Sequence, residues 1–336
     1  MVSGGVRDLR KIQLGKEIYA YSTPVPPTTQ LVGMINAVEN RKRLYPGEAT
    51  GIMSSARRVY DQSVKTELAF DAGEEGATFE QLIILLSMGV CGGVTPTPVA
   101  PNGYRWLFSP DLDDGDVPDI YTMRLGDNMY CWEVEGVFAR SLKISAATEE
   151  SWKLTADLLG TDMDPAAFEV ILYPTPLETI LAQMTSLYMD DTWAALGGTP
   201  VNATLIDWEV TIPGFHAKFF QDGQLVYSGI GLASRSLAVT MTLEFTPGAA
   251  AEWLDWRAAT PRFIRLLAQG SRINPLPVAD FHEAQIDMSI IWESHEALGE
   301  RDGNDIMRFT GRTVYDPTGM GREFEISVQN TIDALP

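Results

Sequence analysis

Histidine and cysteine are scarce in this chain of 336 residues, with three of one and two of the other. His216, His282 and His295 stand apart, in no HExxH motif and no Cys/His cluster, which argues against a zinc centre. Cys91 and Cys131 have no CxxC spacing and read as reduced structural thiols. The sequence has no GxSxG elbow, no GxxxxGK[ST] loop and no GxGxxG fingerprint. A Ser-His-Asp set could be drawn only from distant residues, and nothing selects one. No catalytic, cofactor-binding or metal-binding residue is therefore nominated, and no cofactor is expected. No apolar run reaches the ~18 residues that span a bilayer, so no membrane partner is expected. Met1 to Arg10 lacks the apolar centre of a secretory signal, so folding in the cytoplasm is expected.

Several patterns approach a chemical motif and fall short. The run Asp111-Leu112-Asp113-Asp114-Gly115-Asp116 fails as a calcium loop. Glycine stands fifth instead of sixth, and Thr122 stands where a bidentate Glu is needed. An acidic turn is the better account. Glu133 and Glu135 share a strand face, as glycosidase acids do, but alternation alone puts solvated charges there. His282-Glu283 and His295-Glu296 read as surface pairs. Trp132, Trp152, Trp208, Trp253, Trp256 and Trp292 could line a sugar platform, yet several keep register with apolar neighbours and read as core. Basic-aromatic interleaving of the kind that grips single-stranded nucleic acid is absent.

Positive charge is also short, with 25 Lys and Arg against 45 Asp and Glu, for a net charge of −20. Such a surface repels nucleic-acid phosphates and anionic membranes. The imbalance is uneven. Residues 1–60 hold nine bases (Arg7, Arg10, Lys11, Lys16, Arg41, Lys42, Arg43, Arg57, Arg58) and four acids, so they are +5 and the remainder is −25. Two readings stand for the basic segment: self-association with the acidic body of another copy, or an ordinary solvated loop.

What is plentiful is alternation. Val64 to Phe70 and Leu237 to Phe245 each place every second residue on one face, the period of a half-buried strand. Each is followed by glycine and then by an apolar stretch. The first holds Phe79, Leu82, Ile83 and Leu86 and ends at Gly89. The second holds Trp253, Leu254, Phe263, Ile264 and Leu267 and ends at Gly270, so a helix is expected in both places. Further strands are expected at Tyr104 to Phe108, Ile120 to Leu125, Met129 to Ser145, Trp152 to Leu158, Ile206 to Ile212, Ala284 to Trp292 and Phe324 to Val328. Gly126-Asp127-Asn128 reads as a hairpin turn and Gly136 as a bulge. Leu177 to Met189 has helical spacing. Glu293 to Asp305 reads as a polar hairpin tip. The expected fold is mainly β (α+β), with two β-sandwich or barrel-like units, each flanked by a short helix, and an extended N-terminal arm. The expected divisions are 1–60 for the arm, 61–196 for the first unit and 197–336 for the second. The arm, with Thr23 to Thr28 extended by its prolines, is expected to gain little from packing on its own chain.

In order along the chain, several segments resemble the major tail tube proteins of long, non-contractile-tailed bacteriophages (siphophages). These are Gly15 to Tyr21 before the Pro-rich arm, Tyr104-Arg105-Trp106-Leu107-Phe108-Ser109-Pro110 followed by Tyr121 to Leu125, Gly136 to Ser145, the Leu237–Gly270 unit, and Phe324 to Asn330. The resemblance implies a structural virion protein, not an enzyme, that polymerises into stacked rings around a channel for DNA during genome ejection. It implies a home in the virion tail after assembly in the host cytoplasm. Its partners would be itself (a trimer with pseudo-sixfold symmetry, or a hexamer), a tape measure protein, tail-tip and terminator proteins, and viral DNA passing without specific binding. The charge excess leads to an expectation of an acidic channel wall, and Arg41, Lys42, Arg43, Arg57 and Arg58 are the expected contacts between subunits. Alternative readings are another tail or tail-tip component, or a carbohydrate-binding β-sandwich module.

Overall fold

The computed structural model describes residues 5–18, 23–47, 53, 58–100, 102–111, 115–170, 172, 177–202, 204–232, 235–274 and 280–336. Its strands in chain order are β1 (Lys11–Lys16), β2 (Thr29–Leu31), β3 (Met34–Leu44), β4 (Tyr60–Asp71), β5 (Thr97–Ala100), β6 (Gly103–Phe108), β7 (Tyr121–Gly126), β8 (Cys131–Ala147), β9 (Lys153–Gly160) and β10 (Met163–Ala166). They continue as β11 (Thr185–Asp190), β12 (Leu205–Pro213), β13 (Phe215–Lys218), β14 (Gly229–Leu232), β15 (Ala238–Glu244), β16 (Arg262–Arg272), β17 (Phe281–His295), β18 (Gly299–Arg301), β19 (Asn304–Thr313) and β20 (Phe324–Asn330). The two α-helices are α1 (Phe79–Gly89), between β4 and β5, and α2 (Pro247–Ala258), between β15 and β16. The chain is thus mainly β, as its alternating patterns predict.

The long strands β8 and β17 organise the molecule, because each changes partners along its length. The first half of β8 pairs with β7 and β10, and its second half with β9 and β12. Likewise, β17 pairs along its first half with β16 and β20, and then with β19. Each carries a β-bulge, at Arg140 in the middle of β8 and at Glu293 near the end of β17, where the partner register slips by one. A bulge bends its strand and increases its twist, which is how one strand can leave one sheet and enter another.

The two halves repeat each other pairing for pairing. In the first, β1 pairs with β7, β3 with β4, β4 with β9, β7 with β8, β8 with β9 and β8 with β10. In the second, the same roles fall to β11 with β16, β12 with β15, β15 with β19, β16 with β17, β17 with β19 and β17 with β20. The helices sit in corresponding places, after β4 and after β15. The repeat seen in the two strand-helix phrases therefore extends to six strand pairings in each half, while β2, β5, β6, β13, β14 and β18 have no counterpart.

The halves are joined edge to edge, since β12 of the second adds to the open side of β8 in the first, from Asp207 opposite Ala147 to Pro213 opposite Ser141. One ladder results, in the order β3-β4-β9-β8-β12-β15-β19-β17. Behind it lies one shared core, which includes Leu68, Trp152, Val210, Met241, Ile286 and Phe324. Trp152 and Trp208 meet edge to face there, 4.8 Å between ring centres.

Four local expectations change. The segment before residue 60 packs on its own chain: β1 joins β2 and β7, and Ile12, Leu14, Leu31 and Ile35 are buried in the common core. Helix α1 is buried on every side, so it is an interior helix and not a flanking one. The second helix stops at Ala258, because Ala259 turns left-handed (φ 51°) and Pro261 cannot continue it. Phe263, Ile264 and Leu267 then lie in β16. Leu177 to Met189 is extended except for one 3-10 turn at Ala182–Met184. Its backbone is taken up by neighbours, with Phe79 N–H donating to Glu178 O (3.2 Å) and Trp152 N–H to Ile180 O (2.8 Å), so tertiary pairing overrides helical spacing.

Gly136 is the expected bulge. Its φ is +66°, and a side chain there would meet the Tyr227 hydroxyl. The Asp127 turn also forms, with Asp127 N–H donating to Tyr130 O (2.9 Å). Trp152, Trp208 and Trp292 are buried, as core residues should be. The sequence also marks Ile273 to Val278 as a turn through Pro275 and Pro277, and residues 275–278 of it lie outside the described residues.

Candidate assembly surfaces

The outer end of β3 carries the basic residues singled out from the sequence. Strand alternation splits them. Arg41 and Arg43 share the face that holds Ile35 closer to the core, while Lys42 points to the opposite side. Both arginines close on Asp61 across the hairpin, Arg41 Nη1 at 3.4 Å and Arg43 Nε at 3.1 Å. Arg41 also forms a two-point contact with Glu39, at 2.8 and 3.1 Å. That contact holds the Glu39 carboxyl below the usual carboxylate range. The cluster is thus balanced by acids of its own hairpin. Arg58 is exposed just before β4, and Arg57 lies outside the described residues.

Beyond Thr66, β4 leaves β9; Val64 N–H still donates to Leu225 O (2.8 Å), and β3 is the one strand that pairs with β4 from there to the tip among the described residues. The pair projects as a two-stranded ribbon. Leu44, Tyr45, Val59 and Tyr60 are exposed towards its tip, and Val38 on its flank is 58% exposed. Exposed apolar side chains on an edge ribbon are a surface for another chain.

The face of the long ladder turned away from the core is polar and nearly balanced in charge. Six bases on or beside it each sit against a carboxylate: Lys65–Glu67 (2.7 Å), Arg140–Asp157 (2.7 Å), Lys143–Glu209 (2.8 Å), Lys153–Glu150 (2.6 Å), Arg312–Glu293 (3.3 Å) and Arg308–Glu296 (3.9 Å). Thr211 and Thr242 fill between them, Thr242 donating to Asp207 at 2.9 Å. The face is concave near Arg10, Asp71, Lys143, Asp157 and Thr211, which line one groove.

Buried carboxyls make up part of the remaining acid. Burial pushes up Glu17, Glu80, Glu135 and Glu325, with backbone donors opposing it at Glu17 (Gly136) and Glu80 (Glu178). His282 is one of this group's neighbours and not the surface residue expected. Its ring is buried, with Nε2 3.6 Å from Glu80 and Nδ1 3.1 Å from Glu178. The cluster ties α1 of the first half to β17 of the second. No sequence signal marks it, since Glu80, Glu178 and His282 are brought together only by the fold. Asp116, from the acidic turn, pairs with Arg235 at 2.6 Å. Among the described residues, no group of three or more His, Cys, Asp or Glu side chains is placed to hold a metal ion.

No protein-family model matches the chain, and no curated protein matches it. No helix among the described residues is long and apolar enough to cross a membrane.

Proposed function

We propose that this chain is a structural subunit that closes into rings, which stack as the tail tube of a siphophage and pass DNA through their channel. One observation carries the reading: the two halves repeat the same pairings and are joined by β12 adding to β8, while among the described residues no strand pairs at the equivalent positions at the two ends. Strand β3 is the counterpart of β12, and the end of β17 is the counterpart of the β8 edge that β12 occupies. A second copy bringing its β3 to that edge repeats a junction the chain already makes. Such a contact is heterologous, and it forms a ring if the rotation closes.

Three copies give the pseudo-sixfold arrangement, since each supplies two like units. With eight ladder strands per copy and ~4.8 Å between strands, the closed wall would measure on the order of 40 Å across, before strand tilt widens it. On this reading the bore would be charge-balanced, where the charge excess of the sequence leads to an expectation of an acidic one. If the polar ladder face lines the bore, phosphates meet bases already held by carboxylates, so DNA finds little to grip. Tape measure, terminator and tail-tip proteins would bind the two ends of the stack, and the exposed β3–β4 ribbon would reach the adjoining ring. Electron microscopy of concentrated protein tests this. Uniform hollow tubes support it, and isolated single subunits at every concentration reject it. A glycan-binding module is disfavoured, because Trp152, Trp208 and Trp292 are buried.

A further inference from the structure

The bulge at Glu293 holds a contact that its counterpart in the first half lacks. A bulged residue is left out of the ladder, so its carbonyl needs another donor. In the first half that residue is Arg140, and its carbonyl accepts from Gly214 N–H at 2.8 Å, at the end of the joining strand β12. In the second half the Glu293 carbonyl accepts instead from the Trp256 indole Nε1–H of α2, at 3.1 Å. The Trp256 ring stands edge-on to His295, 4.5 Å between centres. Helix α2 thus covers the place where the joining stretch of a strand would end.

The registers say which residue of a second copy would take that carbonyl. In the first half Ala139 faces Leu158, Leu158 faces Leu68, and Leu68 faces Ala37. In the second, Trp292 faces Gly311, Gly311 faces Val239, and Val239 faces Val210. Ala37 therefore corresponds to Val210, and Arg41 to Gly214. The backbone of Arg41 is turned the right way. Its register partner Val64 donates its N–H to Leu225 O (2.8 Å), away from β3. Opposed residues in an antiparallel pair point their backbone groups the same way relative to each other, so Arg41 presents its own to the open edge.

We propose that Trp256 is a self-cap on the open sheet edge, holding the Glu293 carbonyl until the Arg41 N–H of a second copy's β3 displaces it. The cap disfavours premature closure of free subunits and is released when the seam forms. This rests on the ring reading, and two variants separate the claims.

Trp256→Phe keeps an aromatic ring against His295 and removes the N–H. The critical concentration for assembly, read by sedimentation and light scattering, should fall about fivefold, the equilibrium equivalent of one ordinary hydrogen bond. The lag should shorten, and circular dichroism should be unchanged. A purely structural tryptophan would instead lower the melting temperature with no gain in assembly. Asn40→Cys with Ser294→Cys tests the seam itself, since these positions face each other in the inferred register. Within one chain they lie seven strand spacings apart, about 34 Å along the ladder. Oxidation should give covalent rings. Covalent rings with an unchanged or higher critical concentration for Trp256→Phe would overturn the cap and leave the ring standing. Absence of any covalent multimer would overturn the ring, and the cap with it.

Discussion

Removing Trp208 should show that the two halves unfold as one body. Trp208 belongs to β12, the first joining strand of the second half, and is 3% exposed. It meets Trp152 of the first half edge to face at 81°. Trp152 is fully buried, and its indole N–H donates to Thr185 Oγ1 at 2.8 Å. Truncating a buried tryptophan to alanine costs roughly 3–5 kcal/mol, through lost transfer energy and the cavity left behind. Each single variant, Trp208→Ala and Trp152→Ala, should therefore lose about that much in urea unfolding followed by circular dichroism. The aromatic pair adds about 0.5–1.5 kcal/mol beyond area burial, so the double variant should cost less than the sum of the singles by about that amount. Both variants should keep a single transition, because the core behind the ladder is continuous. Strict additivity, or a second transition in the wild type, would refute the shared core.

Stability should rise as pH falls from 8 towards 5, read as a melting temperature at fixed ionic strength. Burial raises the carboxyls of Glu17, Glu80, Glu135 and Glu325 in the folded chain, so the folded state holds more protons than the unfolded one above about pH 4.5. That stabilisation is complete below the unfolded pKa and is lost as pH rises through the folded values; a flat or rising profile across this window would contradict it. Reversing Arg41, Lys42 and Arg43 to Glu should slow or abolish assembly while circular dichroism stays native, and normal growth with normal salt dependence would remove the basic cluster from the interface. Cys91 and Cys131 are free and buried, with burial pushing both thiols up to about 11. Neither should react with a thiol reagent at pH 8 until urea unfolds the chain, so rapid labelling of the native protein would contradict their burial.

Strand positions were legible wherever apolar residues alternate with polar ones, even where the polar face is buried as well, as at Asp287, Ser289 and Ser327. Ala284, Ile286, Met288, Ile290 and Trp292 alternate, and all five are buried. The same holds for Phe324, Ile326 and Val328. The second helix was misread at its end because Phe263, Ile264 and Leu267 suit both periods, although Thr260-Pro261 carried the stop signal. Residues 177–189 misled for a different reason: their backbone partners at Ala77, Phe79 and Trp152 are remote in sequence. The N-terminal segment looked partnerless because Ile12 and Leu14 are few and are separated from β7 by about a hundred residues. Gly136 was legible as a bulge, but the bulges at Arg140 and Glu293 were not, since neither residue type marks one. The two strand-helix phrases hinted at duplication, and only the pairing pattern showed its extent. The basic cluster was visible as charge beside Glu39, while its pairing with Asp61 was hidden by separation along the hairpin.

The central claim is that the open edge of β17 and the free edge of β3 meet between copies to close a ring. Native mass spectrometry of the assembling protein measures this most directly. A dominant closed species of three 37.0 kDa chains, stacking in whole-ring steps as concentration rises, is expected. A monomer at every concentration, or an open ladder of dimers, trimers, tetramers and pentamers with no preferred ring, would contradict it.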